Sequence, residues 1–183
     1  MSVTVSSTAI NNLTVPSDTG TIMSTGRAGG IIQVQQTVVR SRVVFTSSEA
    51  DAITCNITPT STSNKILAQW DLIWGRNQDD YGAFWLYQGD YIAGAQGSDG
   101  TGNHVNATGQ ITNRGNNAND VYFQQACSGR YLDSPASTST LTYKIRARCT
   151  YGTNIVLNSS YNQNNAGHTV HGISSLTLME VVA

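Results

Sequence analysis

The stretch that decides the fold runs from residue 141 to residue 149 and reads Leu-Thr-Tyr-Lys-Ile-Arg-Ala-Arg-Cys. Every second side chain, from Leu141 through Tyr143 and Ile145 to Cys149, is apolar or aromatic, and those between them are polar or basic. Successive side chains of a β-strand point to opposite faces, so this alternation predicts a strand with one buried face and one face in water. Half-burial of this kind is typical of an antiparallel sheet.

The same pattern recurs elsewhere in the chain. Lys65–Trp74 alternates in the same way, and Ala83–Tyr87 does so before a hairpin turn at Gln88-Gly89-Asp90. The other β-rich runs are Ile31–Phe45, which is long enough for two strands, Ala52–Ile57, Tyr91–Ala93, Asn154–Leu157 and Ser174–Val182. About eight strands with at most one helical turn predict an all-β fold, a single antiparallel β-sandwich of jelly-roll type.

The first 30 residues have a different character. Residues 1–30 mix small polar side chains with isolated aliphatic ones such as Val5, Ile10 and Leu13. We expect them to form an extended attachment arm that gains order from a partner, and the sandwich to occupy residues 31–183. A frayed terminus is the alternative interpretation.

Composition excludes several classes of function. Only 11% of the residues are charged, whereas Ser, Thr, Asn and Gln make up 68 of 183, and the formal net charge is −1. Binding to nucleic acid through bulk phosphate attraction is therefore not expected. No apolar run approaches the roughly 18 residues of a membrane span, and residues 1–12 lack the basic and apolar regions of a secretion signal.

The residues that could carry chemistry are few. No nucleophile elbow, phosphate loop or zinc-protease motif occurs, so we expect no enzymatic activity, no metal and no cofactor. The three cysteines, Cys55, Cys127 and Cys149, follow no Cys-x-x-Cys spacing. Three free thiols suit a protein made in a reducing compartment, and a single disulfide remains the alternative.

Two polar loops are the candidate binding regions, since loops without a packing role commonly carry recognition. Gly94–Asn119 is rich in Gly and Asn and reads either as one long functional loop or as two weak strands with wide turns. Asn158–His168 precedes the final strand. Amide side chains both donate to and accept from sugar hydroxyls, and a tyrosine ring offers a stacking face. The ligand-binding candidates are Asn103, His104, Asn106, Asn116, Tyr161, Asn162 and Asn164. The alternative is that these residues only build wide, soluble turns.

A second set of residues is predicted to lie at a subunit contact. Two pairs of arginines each share one strand face, and two aromatic side chains lie opposite Phe84 and Leu86. Arginine stacks on aromatic rings and pairs with carboxylates across interfaces. The same guanidinium geometry suits an acidic or phosphorylated glycan, and a solvated outer face is the plainest alternative. The interface candidates are Trp85, Tyr87, Arg40, Arg42, Arg146 and Arg148.

Two segments carry a resemblance to a known family: Ile57–Leu67, which reads Ile-Thr-Pro-Thr-Ser-Thr-Ser-Asn-Lys-Ile-Leu, and Ser174–Val181. The first is similar to a stretch of virion proteins from tailed bacteriophages, and the second is similar to the usual last strand of those proteins. Phe84–Gly89 falls where they carry a strand and a tight turn. Nothing in residues 94–135 matches, so the resemblance carries over no binding residue.

The resemblance implies a trimeric β-sandwich knob on the virion surface, assembled in the host cytoplasm. We expect a short tail fibre or fibre tip involved in host attachment, with residues 1–30 joined to another virion protein and a host surface glycan as the ligand. A capsid decoration (cement) protein or head fibre is the alternative, and a carbohydrate-binding module is a further one.

Overall fold

The computed structural model describes residues 30–77, 79–102, 104–112, 120–164, 167 and 169–183. Within these ranges the chain forms eleven β-strands and two short 3₁₀ turns, Ala93–Ala95 and Asp120–Tyr122. The sequence predicted at most one helical turn, so the second turn corrects that expectation. The strands are β1 (Ile31–Val39), β2 (Val43–Phe45), β3 (Ala50–Ile57), β4 (Lys65–Arg76), β5 (Tyr81–Gln88), β6 (Asp90–Tyr91), β7 (Gly109–Ile111), β8 (Gln124–Asp133), β9 (Leu141–Tyr151), β10 (Ile155–Leu157) and β11 (Ser174–Val181).

One sheet, sheet A, is built around β4, the longest strand. β8 pairs along one edge of β4 over almost its whole length. The other edge of β4 is shared by β11, which pairs with residues 65–71, and β10, which pairs with residues 74–76. β1 pairs with β11, and β2 with β10. Sheet A is therefore four strand positions wide. β10 and β11 lie end to end and share one position, and β1 and β2 share the next.

The second sheet, sheet B, is also four positions wide. β9 pairs with β3 on one side and with β5 on the other. The far edge of β5 is shared by β7, which pairs with residues 82–84, and β6, which pairs with residues 87–88. All of these pairings are antiparallel, as the alternation in residues 141–149 predicted.

The order of the strands confirms the jelly roll. Numbered in chain order, the eight positions run 1-8-3-6 across sheet A and 2-7-4-5 across sheet B. Chain neighbours thus lie in different sheets except for positions 4 and 5, which pair within sheet B, and this is the arrangement of two interleaved Greek keys. The predicted fold class, a single antiparallel β-sandwich of jelly-roll type, is correct.

The core lies between the sheets and is centred on Trp74. Phe45 of sheet A meets the indole edge-on with 5.7 Å between ring centroids, and Phe84 of sheet B stacks on it at 6.3 Å. On the same face of β4, Ile66 and Leu72 are at most 1% exposed. The alternation predicted for residues 65–74 is confirmed, and its apolar face provides much of the hydrophobic stabilisation.

β8 is the long strand that the sequence did not predict. Its central Ser128-Gly129-Arg130 carries no β-branched or aromatic side chain, so its intrinsic strand preference is weak. Gly129 is paired with Trp70, and a Cβ atom there would come within 2.5 Å of the indole. The glycine therefore makes room for a large side chain, and tertiary packing overrides local propensity. β7 likewise falls inside the Gly94–Asn119 segment.

One end of the sandwich is closed by Glu180 of β11. Its side chain is fully buried and accepts hydrogen bonds from the Thr60 backbone N–H at 2.6 Å, the Thr60 hydroxyl at 2.7 Å and Asn64 Nδ2 at 2.7 Å. Burial alone would raise the pKa of this carboxyl, but the hydrogen bonds from Asn64 and Thr60 outweigh it and hold the pKa below the usual range. The segments 57–67 and 174–181 are thus joined through one carboxylate.

Asn158 connects the two breaks in sheet A, the gap between β1 and β2 and the gap between β10 and β11. Its backbone has a φ of 61°, in the left-handed region that asparagine tolerates. Its Nδ2 donates to the carbonyl of Val39 at 2.8 Å and to that of Ser41 at 3.2 Å, and its Oδ1 accepts from the Ser174 hydroxyl. One buried amide therefore holds strand ends on both sides.

Candidate functional site

The outer face of sheet B carries most of the aromatic and basic side chains that the sequence singled out. Leu141, Tyr143, Ile145, Ala147 and Cys149 of β9 are buried in the core, so the intervening side chains point outward. These are Thr142, Lys144, Arg146 and Arg148, and the three basic ones lie beside the outward side chains of β5 and β6.

Arg146 is neutralised by acidic neighbours. Its guanidinium lies 3.1 Å from Glu49 and 3.1 Å from Asp51, and stacks over the Tyr87 ring at 5.2 Å. Lys144 pairs with the same Asp51 at 2.6 Å. The Tyr91 hydroxyl donates to Glu49. The pKa of Tyr91 is raised, chiefly because the hydroxyl is partly buried and also because it donates to this carboxylate. The half-exposed network orders the side chains, although such surface pairs each contribute only about 0–1 kcal/mol.

Arg148 stands in a different environment. Its guanidinium stacks over the Trp85 ring at 5.5 Å, and its buried Nε has no hydrogen-bond partner. No described residue forms an ion pair with it. Arg146 and Arg148 therefore differ, although they lie two residues apart on one strand. Carboxylates neutralise Arg146, whereas no carboxylate of the described residues pairs with Arg148.

Trp85, which the sequence predicts at a subunit contact, is covered within its own chain. It points outward from sheet B, yet only 5% of the residue is exposed. Its Nε1 donates to the Asn106 carbonyl at 2.6 Å, and the Tyr91 ring lies 6.2 Å away. The loop between β6 and β7, together with Arg148, therefore covers the indole within the same chain.

A groove of about 800 Å³ opens beside this covered tryptophan. Ala83 of β5 and Gln110 of β7 line it together with His104, Asn106 and Thr150. At one side Tyr81 and Tyr151 form an edge-to-face pair with centroids 6.0 Å apart. These tyrosines are 38% and 68% exposed, so each ring presents surface to a ligand. The Arg76 guanidinium lies over the Tyr81 ring, 6.0 Å from its centroid. The groove combines aromatic faces with amide, hydroxyl and imidazole groups, which is the chemistry of sugar binding.

The groove lies toward the end of the sandwich opposite Gly30. Tyr81 and Tyr151 pair where β5 begins and β9 ends, whereas Gly30 accepts a hydrogen bond from Val182 at the other end. The chain thus enters the described structure far from the open tyrosines.

The predicted ligand residues separate into two places. His104 and Asn106 line the groove, and the Asn106 side chain also accepts from the Gly100 N–H at 2.7 Å, which shapes the loop. Asn162 and Asn164 instead donate to the Tyr122 hydroxyl at 3.2 and 3.0 Å, and fasten their loop to a 3₁₀ turn. Asn103 and Asn116 lie outside the described residues.

The remaining predicted residues lie between β1 and β2. Arg42 donates to the carbonyl of Tyr161 at 3.4 Å, and Arg40 is exposed. They lie in the connection between two strands of sheet A, which corrects the expectation that they share a strand face. They do not join Arg146 and Arg148, so the six interface candidates do not form one surface. Residues 1–29 of the predicted arm lie outside the described residues.

Sequence reasoning missed the two groove tyrosines. Neither Tyr81 nor Tyr151 is among the binding residues that the sequence predicts. A signal existed, since each is an aromatic residue at a strand terminus next to glycine, where a ring has little to pack against. Their pairing across two strands distant in sequence could not be read from that signal.

The cysteines are free thiols in the structure. Cys55 and Cys149 are buried, and Cys127 is partly buried. Burial raises the pKa values of Cys127 and Cys149. In the described part of the chain, no three His, Cys, Asp or Glu residues come together as metal ligands, and no helix has the length and apolarity to cross a membrane.

No protein-family model matches the chain, and no curated protein sequence matches it.

Proposed function

We propose that the protein is a structural component of a bacteriophage particle, displayed on its surface as a trimeric jelly-roll knob in a short tail fibre or fibre tip. The observation that carries the attachment role is the open groove with Tyr81 and Tyr151 at the end opposite Gly30. The resemblance of residues 57–67 and 174–181 to virion proteins supports the assignment to a particle. No catalytic activity is part of this proposal.

Adsorption to host cells tests the attachment role. Particles that carry Tyr81→Ala with Tyr151→Ala should adsorb more slowly, because stacking on an aromatic ring is lost at two positions. The matched control is Tyr87→Phe, which changes a tyrosine of the same sheet face outside the groove. Equal adsorption by the double variant and the control would refute a role for the groove in attachment.

The outer face of sheet A supports self-association. Val34, Met179, Leu67 and Leu132 are paired in sequence across β1, β11, β4 and β8, and form one apolar row. Val34 is 54% and Leu132 is 45% exposed. A continuous exposed row is a feature of interaction surfaces more than of scattered surface residues. This row, rather than Trp85, is the proposed subunit contact.

Sedimentation of the purified protein tests the trimer. The wild type should sediment as a trimer, and Val34→Asp should dissociate it by placing a charge in the apolar contact. Gln36→Asp, on the same face of β1 beyond the row, is the control and should remain trimeric. A wild-type monomer at micromolar concentration would contradict the proposal, as would a Val34→Asp trimer that is as stable as the control.

A capsid decoration protein or head fibre is the alternative location for the same knob. Labelling of intact particles with an antibody against the knob distinguishes the two, because tail label supports the fibre and shell label supports decoration.

Deleting residues 2–28 should leave the sandwich folded and prevent incorporation if the arm joins another virion protein. Normal incorporation of the truncated protein would remove the attachment role of the arm.

The tyrosine pair also favours a carbohydrate-binding module outside a virion as a further alternative. Such a module would bind polysaccharide through the same groove and would be absent from purified particles, which mass spectrometry of the particles would reveal.

A further inference from the structure

The uncompensated charge of Arg148 borders the tyrosine groove. Arg148 is paired with Ala83 across β9 and β5, and Ala83 lines the groove. Asn106 also lines the groove, and its carbonyl accepts from the Trp85 indole on which the guanidinium stacks. A register shift in the pairing of β9 with β5 places Tyr151 opposite Tyr81, two positions from Ala83 along β5, so Tyr151 lies about 7 Å from Arg148 along the sheet at about 3.4 Å per residue.

The Trp85 indole prepares this guanidinium for a planar anion. Stacking fixes the guanidinium against the ring and removes part of its water, which strengthens the interaction with an opposite charge. Arginine binds carboxylates through two parallel hydrogen bonds when its fork is free to do so. Arg146 cannot serve in this way, because Glu49 and Asp51 already occupy its guanidinium.

We propose that the groove binds an acidic saccharide, with Arg148 contacting a sugar carboxylate and the Tyr81–Tyr151 pair stacking on a neighbouring ring. Gln110 and Thr150, which also line the groove, supply amide and hydroxyl groups to the sugar hydroxyls. An acidic peptide would satisfy Arg148 but would leave the two open tyrosine rings without a matching partner. This inference deepens the attachment role proposed above and rests on it for its biological setting.

Titration calorimetry on the purified full-length protein tests the binding chemistry. The probes are oligogalacturonate, hyaluronate oligomers and oligosialate, with the methyl ester of oligogalacturonate as the neutral match and polyglutamate as the acidic peptide. At least one acidic saccharide should bind. If this is oligogalacturonate, its methyl ester should bind about tenfold to a hundredfold more weakly, because a charge-assisted hydrogen-bonded pair is lost. Binding should weaken as salt is added.

Matched variants test whether Arg148 is the cation that binds the sugar carboxylate. Arg148→Gln should lose the same factor of about ten to a hundred, and Arg148→Lys should recover part of it through charge alone. Lys144→Gln, which removes a cation of the same strand face that is already paired with Asp51, should bind like the wild type. Circular dichroism and thermal unfolding verify that each variant is folded.

Several outcomes would overturn the inference. They are binding to none of the three acidic saccharides, equal binding of acid and ester, equal affinities of the Arg148→Gln and Lys144→Gln variants, and polyglutamate binding as tight as that of the saccharides. If the inference fails while the tyrosine variants still slow adsorption, the attachment role stands with a neutral ligand. If acidic saccharides bind but adsorption is unchanged, the site exists and the attachment role is wrong.

Discussion

Replacing Glu180 with alanine removes the carboxylate that joins the loop after β3 to the last strand. In the wild type, Glu180 accepts from the Thr60 N–H at 2.6 Å and from Asn64 Nδ2 at 2.7 Å. The substitution leaves the Thr60 N–H without an acceptor and leaves Asn64 Nδ2 with only its 3.3 Å bond to the Thr60 hydroxyl. Each unsatisfied buried polar group costs about 1–3 kcal/mol. Thr60 is exposed in part, so water recovers some of this, and we expect the free energy of unfolding to fall by about 2–4 kcal/mol. For a domain of this size, this lowers Tm by roughly 4–16 °C.

The pH dependence separates the charge from the shape of the side chain. The folded-state pKa of Glu180 is depressed, so the folded protein binds fewer protons there than the unfolded chain. The stabilisation is therefore complete above about pH 4.3, the value for an unfolded glutamate, and is lost as the pH falls through the lower folded-state value. Glu180→Gln keeps one acceptor oxygen without the charge, so it should be less stable than wild type at pH 7 and lose less stability in acid.

Thermal and urea unfolding, followed by circular dichroism between pH 7 and pH 3, measure both effects. The expected order at pH 7 is wild type, Glu180→Gln, then Glu180→Ala. A loss below about 1 kcal/mol for the alanine variant would show that these hydrogen bonds contribute little. Parallel pH profiles for wild type and Glu180→Gln would show that the carboxylate does not titrate with folding.

Other predictions concern backbone packing and the thiols. Gly75→Ala should destabilise the protein by about 1–3 kcal/mol or more in urea unfolding, because its Cβ would lie 2.1 Å from the Ser159 carbonyl oxygen, whereas Gly97→Ala, with no atom within 4 Å, should change stability little. Comparable losses for both would refute the steric reasoning. The native protein should react slowly with a thiol reagent, with Cys127 first, because burial raises thiol pKa values and limits access, and the denatured protein should show three thiols. Fewer than three under denaturing, non-reducing conditions would indicate a disulfide.

Much of the sandwich could be predicted because burial acts on alternate residues of each half-buried strand. In residues 65–74 and 141–149 the alternation of apolar and polar side chains indicates which face is buried, and both predictions are confirmed. β8 shows where this reasoning stops. Gly129 has no side chain that could indicate a buried face. Its place in the strand depends on packing, because only a small residue fits opposite Trp70.

The candidate site could be predicted only in part. Alternation placed Trp85 opposite Phe84, which is correct, but the burial of Trp85 depends on a loop carbonyl 21 residues away at Asn106. The same loop brings His104 into a groove with Tyr81 and Tyr151. Loop conformation is set by contacts distant in sequence, and local composition does not encode them.

The two interruptions in sheet A allow part of the surface to change in sequence without a loss of stability of the fold. β10 and β11 rejoin β4 on either side of residues 158–173, and the Asn158 amide holds the ends of both gaps. Ser159 and Ser160 are fully buried and belong to the packed base of this segment. The tip of the segment, between Ser160 and Val170, can therefore lengthen, shorten or change composition while the register of the neighbouring strands stays the same. Lineages of this protein should vary most in this segment and retain the asparagine, and a foreign peptide inserted after Gln163 should be displayed without loss of folding.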